Sequence, residues 1–238
     1  MRRLVVSGVS VRIVRKHIKH LHLGVYPPDG HIRVAAPLTM KDEAIRLAVV
    51  SRIGWIRRQH RKFEAQARQS QRDMVTGESH FFLGRRYRLR VVEGKHRPAV
   101  RPRIGQTLEM RVPFDTTAAR RERLLHGWYR QELRRLILEL LATWQPKVGV
   151  SVREWGIKRM KTKWGSCNPR AKRIWLNLEL AKKSERCLEY ILVHELLHLT
   201  LRHHDRHFLS AMSDLLPDWR SRREELNRAP LAHEKWSY

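Results

Sequence analysis

The segment from Ser184 to Leu199 constrains the fold most strongly, because it combines an apolar helical face with polar side chains. Its apolar residues recur at three- and four-residue spacing: Cys187, Leu188, Ile191, Leu192, Leu196 and Leu199. Ser184 is a suitable N-cap, since its hydroxyl can accept a hydrogen bond from a backbone amide of the first turn. His194, Glu195 and His198 lie inside this apolar stretch, where a polar group without a partner is costly. The segment therefore predicts a core helix whose polar residues act together at one site.

The pattern His194-Glu195-x-x-His198 is typical of a metal site. On a helix of about 3.6 residues per turn, the two histidines direct their imidazoles to one point and Glu195 flanks that point. A catalytic zinc ion binds neutral imidazole nitrogens and keeps one position for water, whose proton a nearby carboxylate can accept. We therefore interpret the histidines as Zn²⁺ ligands and Glu195 as the general base of a hydrolase. Because 14 of the 238 residues are histidine, the pentapeptide alone could arise by chance, and the helix around it carries the interpretation.

A catalytic zinc site takes three protein ligands, so the segment after the helix must supply another. His203, His204 and His207 follow closely, and a break in the helix would let one of them return to the metal. Asp214 and Asp218 in the next helical stretch are the alternatives, as in a thermolysin-like site. Spacing alone leaves these possibilities open.

Three further motifs accompany this helix: Lys161 to Cys167 (KTKWGSC), Ile174 to Asn177 (IWLN) and Leu216 to Trp219 (LPDW). Together with His204 and Phe208, this combination resembles the YgjP-like metal-dependent hydrolases. The N-terminal strands and the Gly54-Trp55-Ile56 segment are similar to that family as well, so the resemblance covers most of the chain.

The resemblance implies that His194, His198 and His204 are the zinc ligands and Glu195 the general base. It also implies a compact zincin-like catalytic domain, related in layout to SprT-type proteases, behind a β-rich N-terminal part. The chain departs from the family pattern at His203, where the family has a non-ligating residue. Two activities are expectations from this resemblance: peptide hydrolysis, which we favour, and nucleoside-triphosphate pyrophosphohydrolysis at the same metal.

The residues before and within the second strand of this region are candidates for substrate binding: Lys161, Lys163, Trp164, Gly165, Ser166 and Asn177. The lysines can hold a phosphate or carboxyl group, Gly165 allows close approach of the backbone, and the edge of strand 173–179 can pair with an extended peptide. The alternative is a tight hairpin beneath the metal, with Trp164 and Cys167 in the core. In that case Asn177 bonds backbone rather than substrate.

The charge balance predicts an anionic or peptide substrate and non-specific contact with nucleic acid. Lys and Arg number 50 and Asp and Glu 23, which gives 50 − 23 = +27, and such a field attracts polyanions. The basic residues match no recognition motif. A zinc-stabilised nucleic-acid-binding module without catalysis is therefore the alternative from another class. Sequence leaves the oligomeric state open.

The two cysteines, Cys167 and Cys187, form no disulfide framework or CxxC motif, so we expect reduced thiols. No apolar run reaches the roughly 18 residues that span a bilayer, and the Arg-rich start lacks a secretory hydrophobic region. These features predict a cytoplasmic protein without a membrane partner.

The chain reads as an α+β protein with a β-rich domain at 1–113, which includes a long helix, and a zincin-like metal-dependent hydrolase domain at 114–238. We expect a small antiparallel sheet within residues 4–36, and a helix that begins with a capping box at Thr39 and Asp42 and continues to about Gln69. Four short strands follow between residues 81 and 112, and then a long helix over 117–147. Strands at 150–161 and 173–180, joined by a turn near 168–170, would form a small antiparallel sheet against the HExxH helix. No exact internal repeat is visible.

Overall fold

The computed structural model describes residues 2–26, 30–65, 73–95, 97–160 and 163–228. The chain divides between residues 71 and 72 into two compact units. The boundary expected between residues 113 and 114 lies inside the second unit. There, the sheet before this boundary shares one hydrophobic core with the helix after it.

The first unit is a four-stranded sheet followed by two helices. Its strands are β1 (Arg2–Val6), β2 (Val9–Lys16), β3 (His22–Tyr26) and β4 (His31–Pro37), and their order in the sheet is β1-β2-β4-β3. β2 and β4 are parallel whereas the outer pairs are antiparallel, so the prediction of an antiparallel sheet was wrong. Alternate residues of β2 and β4 pack with residues of the helices into a separate core: Val11, Ile13, Ile32, Val34, Ile45, Val49 and Ile56.

The helical segment of this unit is broken rather than continuous. α1 (Asp42–Val50) and α2 (Ile53–Ala65) are separated by a turn at residues 51–52, and residues 66–69 of the predicted helix lie outside the described residues. The helix also begins at a different residue from the one predicted. The N-cap of α1 is Lys41 rather than Thr39, Lys41 makes no side-chain cap hydrogen bond, and Asp42 forms an ion pair with Arg15.

The second unit begins with a sheet that repeats the topology of the first. Its strands are β5 (Ser79–Phe82), β6 (Arg85–Glu93), β7 (Ala99–Arg103) and β8 (Thr107–Val112), in the order β5-β6-β8-β7. Here too the central pair is parallel and the outer pairs are antiparallel. The structure therefore contains a repeated sheet topology for which the sequence shows no exact repeat.

The long helix α3 (Ala118–Val148) closes over this sheet. The hydroxyl of Thr117 accepts a hydrogen bond from the Arg120 amide at its start, and Gly149 with φ +72° ends it, as expected for these residues. The phenol of Tyr129 donates a hydrogen bond of 2.7 Å to the carbonyl of Phe81. Of the helices in the described residues, none has the length and apolar character needed to cross a membrane.

The last sheet consists of β9 (Glu154–Lys158), β10 (Gly165–Asn168) and β11 (Arg173–Asn177), in the order β10-β11-β9. The predicted hairpin between 150–161 and 173–180 was wrong: β10 and β11 form the hairpin, and β9 pairs parallel to β11. A 3₁₀ helix (Leu178–Lys182) leads into α4 (Glu185–Leu197), followed by α5 (Arg206–Leu215) and α6 (Trp219–Arg228). The fold is α+β as predicted, with three mixed sheets.

The close contact between Gly156 and Trp175 on β9 and β11 gives a test of this sheet. A Cβ at Gly156 would lie 2.2 Å from Cζ3 of Trp175, so Gly156→Ala should force the ring or the strand to move and lower the free energy of unfolding by about 1–3 kcal/mol. Gly127, within α3, is the matched control because a Cβ there meets no atom within 4 Å. Gly127→Ala should stabilise by up to about 1 kcal/mol. Urea unfolding followed by circular dichroism measures both, and equal effects would contradict the packing.

Candidate metal centre

Helix α4 is capped at its start and joined to neighbouring helices near its middle, and the HExxH side chains lie at its C-terminal end. The hydroxyl of Ser184 accepts a hydrogen bond from the Cys187 amide, which makes Ser184 the N-cap as expected. Near the middle, the carboxylate of Glu189 accepts a hydrogen bond of 2.9 Å from the Trp144 indole of α3 and pairs with Arg222 of α6. These contacts join α4 to both neighbouring helices.

The chain turns sharply after α4 and brings a third histidine to the first two. The helix ends at Leu197, and the amides of Leu199 and Thr200 then donate to carbonyls only three residues back, at 3.0 and 3.1 Å. The Nε2 atoms of His194, His198 and His204 then lie at the corners of a triangle with sides of 3.2, 3.1 and 3.1 Å. Three nitrogens that bind one zinc tetrahedrally at about 2.05 Å lie about 3.3 Å apart. The donor set therefore fits a zinc-sized cation.

The orientation of these rings is set by residues around them. Nδ1 of His198 lies 2.9 Å from the Leu201 carbonyl, and the tautomer that donates this hydrogen bond leaves Nε2 with its lone pair towards the other two histidines. The buried ring of Phe208 contacts all three imidazoles, with centroid distances of 5.0, 4.9 and 4.7 Å. Phe208 is itself fixed at the start of α5, where its amide donates to the Asp205 carboxylate that caps the helix.

The other candidate ligands lie apart from this cluster. Among the described residues, the ligand atoms that converge belong to His194, His198 and His204. The side chain of His207 is 87% exposed, and Asp218 pairs with arginines of α4 and α6. His203 is exposed in the loop before α5. Neither His203 nor Asp214 belongs to the converging group.

Two histidines of the cluster have a lowered pKa, which favours the neutral form that metal coordination requires. Burial lowers the pKa of His194 to about 3, and the neighbouring His198 and His204 lower it further. Burial and then His198 also lower the pKa of His204.

Glu195 is buried beside the cluster, with 6% of its surface exposed. Burial raises its pKa to about 7, and the positive charge of Lys163 acts in the opposite direction. Gly165 of β10 makes room for this side chain, since a Cβ at that position would lie 2.5 Å from Oε1 of Glu195. A cation bound by the histidines would favour the ionised carboxylate.

The three histidines and Glu195 line a cavity of about 630 Å³, together with β10 and the turn that follows it. Of the predicted substrate-binding residues, Lys163, Gly165 and Ser166 line it. Arg170 and Arg202 line it as well, and the sequence analysis did not single them out. The sequence indicated a place near the site only through their positions, since Arg170 follows the WGSC motif and Arg202 follows the HExxH helix. The described lining thus contains three permanent cations and one carboxylate.

The remaining predicted residues have other positions. Trp164 is absent from the described lining of the cavity, and the ammonium of the buried Lys183 lies 5.3 Å from the centre of its ring. Lys161 lies outside the described residues. Burial raises the pKa of the Cys167 thiol to about 11, and Glu195 adds to this effect, which makes the thiol a poor nucleophile. Both cysteines are free thiols, as predicted.

Asn177 lies outside the described lining of the cavity and bonds to backbone. Its amide nitrogen donates to the carbonyls of Met160 and Lys163 at 2.7 and 2.8 Å, and its amide oxygen accepts from the Met160 amide. The side chain thereby holds both ends of the segment between β9 and β10. This is the backbone-bonding alternative of the sequence analysis.

The peptide-pairing edge also differs from the expectation. β11 lies between β10 and β9, so both of its edges are already paired. In the described part of the chain, β10 pairs with β11 on one side only. The edge that lies next to the cavity and pairs with no strand in the described residues is therefore that of β10.

A comparison with known families identifies the same family as the sequence motifs do. A family model described as YgjP-like, metallopeptidase domain, matches residues 19–229, which is 211 of 238 residues. No curated protein matches the sequence significantly. The match includes the complete histidine cluster, Glu195 and the β10–β11 hairpin. The chain therefore belongs to the YgjP-like family of metallopeptidase domains.

Proposed function

We propose that this protein is a zincin-like hydrolase that cleaves peptide bonds, with Zn²⁺ bound by His194, His198 and His204 and with Glu195 as general base. The family supports a metal-dependent hydrolase. The observation that carries the finer proposal is the convergence of three Nε2 atoms within 3.2 Å of one another, next to a buried carboxylate.

Glu195 first accepts and then donates a proton in this reaction. A zinc ion held by the histidines supplies Lewis-acid polarisation of the substrate carbonyl and lowers the pKa of water towards about 7. Glu195 accepts the proton of the attacking water while the water oxygen bonds to the carbonyl carbon. The carboxyl group then gives that proton to the amide nitrogen as the C–N bond breaks. Burial raises the pKa of Glu195 and so favours the protonated form that returns the proton, whereas a cation bound by the histidines would favour the carboxylate that accepts it.

β10 and the basic residues of the cavity orient the substrate in this proposal. An extended peptide that pairs with the edge of β10 places its backbone along the cavity that the histidines line. Lys163, Arg170 and Arg202 then favour an acidic side chain or another anionic group. The same charges are the specific observation that favours the second candidate, hydrolysis of nucleoside triphosphates to monophosphate and pyrophosphate.

The ligand assignment predicts a graded effect of histidine substitution on metal affinity. His204→Ala should weaken Zn²⁺ binding at least about 100-fold, because it leaves two of three protein ligands. His203→Ala, in the loop before α5, and His207→Ala, in the first turn of α5, are matched controls and should change affinity less than about threefold. Competition with a chromogenic chelator measures each affinity. A larger effect of either control would move the third ligand to that residue.

The assignment of the base predicts that Glu195→Gln keeps the metal but loses catalysis. The amide keeps the size of the carboxylate but cannot accept the proton, so kcat should fall at least about 100-fold. Zinc content by mass spectrometry should stay unchanged. The assay compares an unfolded protein substrate with nucleoside triphosphates. Hydrolysis of the triphosphate alone would replace the peptidase proposal with the second candidate, and activity of the variant equal to wild type would remove Glu195 as base.

The cavity charges predict where the anionic group of the substrate binds. The double substitution Arg170→Gln/Arg202→Gln should raise KM about 10-fold or more for acidic substrates and leave kcat within about threefold. Arg135→Gln, at an exposed position of α3, is a control that removes a cation outside the described lining of the cavity. Equal KM values for acidic and neutral peptides, in both wild type and double variant, would contradict the charge argument.

A further inference from the structure

The first unit contains a second cavity, of about 810 Å³, that the proposed hydrolysis does not use. It lies where β2 and β4 begin, next to the β1–β2 turn and one side of α2. Its lining is basic, with Arg3, Arg12, His31, Arg57, His60 and Arg61. The described part of the lining includes no aspartate or glutamate. Such a cavity attracts an anionic ligand.

Charge is concentrated in this part of the chain. Residues 1–71 contain 15 Lys and Arg and 4 Asp and Glu, a net charge of 15 − 4 = +11. Two of the four acidic residues, Asp42 and Glu43, begin α1, where Asp42 pairs with Arg15. These carboxylates are therefore away from the described lining of the cavity.

The strand register brings like charges side by side. Arg3 on β1 is the direct partner of Arg12 on β2, and Arg12 is the direct partner of Arg33 on β4. Neighbouring strands lie about 4.8 Å apart, so this row of three arginines repels itself. Arg57 and Arg61 add a second like-charged pair, four residues apart on α2. An anion that spans several of these groups would relieve the repulsion.

We propose that this cavity binds the phosphate backbone of a single-stranded nucleic acid. Guanidinium groups match phosphate oxygens in bidentate geometry. The arginines among the lining residues belong to two strands and a helix rather than to one loop. This spread suits a chain of phosphates better than one phosphate. His31, in the lining, stacks on Tyr26 with a centroid distance of 5.7 Å, which provides aromatic rings beside the cations, as in surfaces that bind single strands.

The experiment measures binding of the full-length chain to fluorescein-labelled single-stranded RNA and DNA of about 20 nucleotides by anisotropy, between about 50 and 200 mM salt. Arg57→Gln/Arg61→Gln should weaken binding about 10-fold or more at 100 mM salt. It should reduce the slope of log K against log salt by about 1.4, because each lost contact to a single strand removes about 0.7. Arg46→Gln/Arg52→Gln is the matched control: it removes the same charge from exposed positions of the same unit outside the described lining, and should weaken binding less than threefold.

Further measurements separate this proposal from its alternatives. Glu195→Gln should bind the oligonucleotides as wild type does, since the cavity is independent of the metal centre, and all variants should keep the wild-type melting temperature. Equal weakening by the two double variants would show a general electrostatic effect and overturn the proposal. Absence of binding at 50 mM salt would also overturn it. So would full displacement of the oligonucleotide by about 1 mM inorganic phosphate or nucleoside monophosphate, because the cavity would then be a site for single phosphates.

Discussion

The turn that follows α4 is the constraint on which the metal centre depends. In this turn the amides of Thr200 and Leu201 both donate to the Leu197 carbonyl, while the Leu201 carbonyl lies within hydrogen-bond distance of Nδ1 of His198. The backbone of the turn thus both leads the chain towards His204 and orients the ring of His198. A longer helix would carry His204 away from the other two ligands, because residues six and ten apart do not share a helical face. Phe208, in contact with all three imidazoles, completes this arrangement.

The position of Glu195 depends on a second set of contacts, made by β10 and the segment before it. A buried carboxylate is costly, and the structure accommodates it by omitting a side chain at Gly165 rather than by covering it with an apolar residue. The Asn177 amide holds the Met160 and Lys163 backbones in place, which positions the start of β10 and therefore Gly165. Asn177 thus contributes to the site through backbone geometry, without lying in the described lining of the cavity.

The sequence predicted this centre better than it predicted the sheets around it, for a physical reason. His194 and His198 are related by helical spacing, and Ser184 caps the helix through a local hydrogen bond, so both features follow from short-range rules. The parallel pairing of β9 with β11 is a long-range choice that the residues of each strand do not encode locally. The break between α1 and α2 at residues 51–52 is also not encoded locally, since the periodicity of Ile45, Val49 and Ile56 continues across it. Arg170 and Arg202 were missed because an arginine in a loop is ordinary until the fold places it at a cavity.

The repeated sheet topology shows that the two four-stranded sheets use the same strand arrangement for different surroundings. In the second unit, Glu93 pairs with Arg121 of α3, and Glu109 pairs with Arg103 and Arg111 on its own sheet. In the first unit, the row of Arg3, Arg12 and Arg33 occupies neighbouring strands, and the described lining of the cavity beside it has no carboxylate. The total charge of +27 therefore divides into +11 over 71 residues and 27 − 11 = +16 over the other 167. Since a shared strand order requires no particular charge, the excess in the first unit is a property of its surface chemistry and points to an anionic partner rather than to a need of the fold.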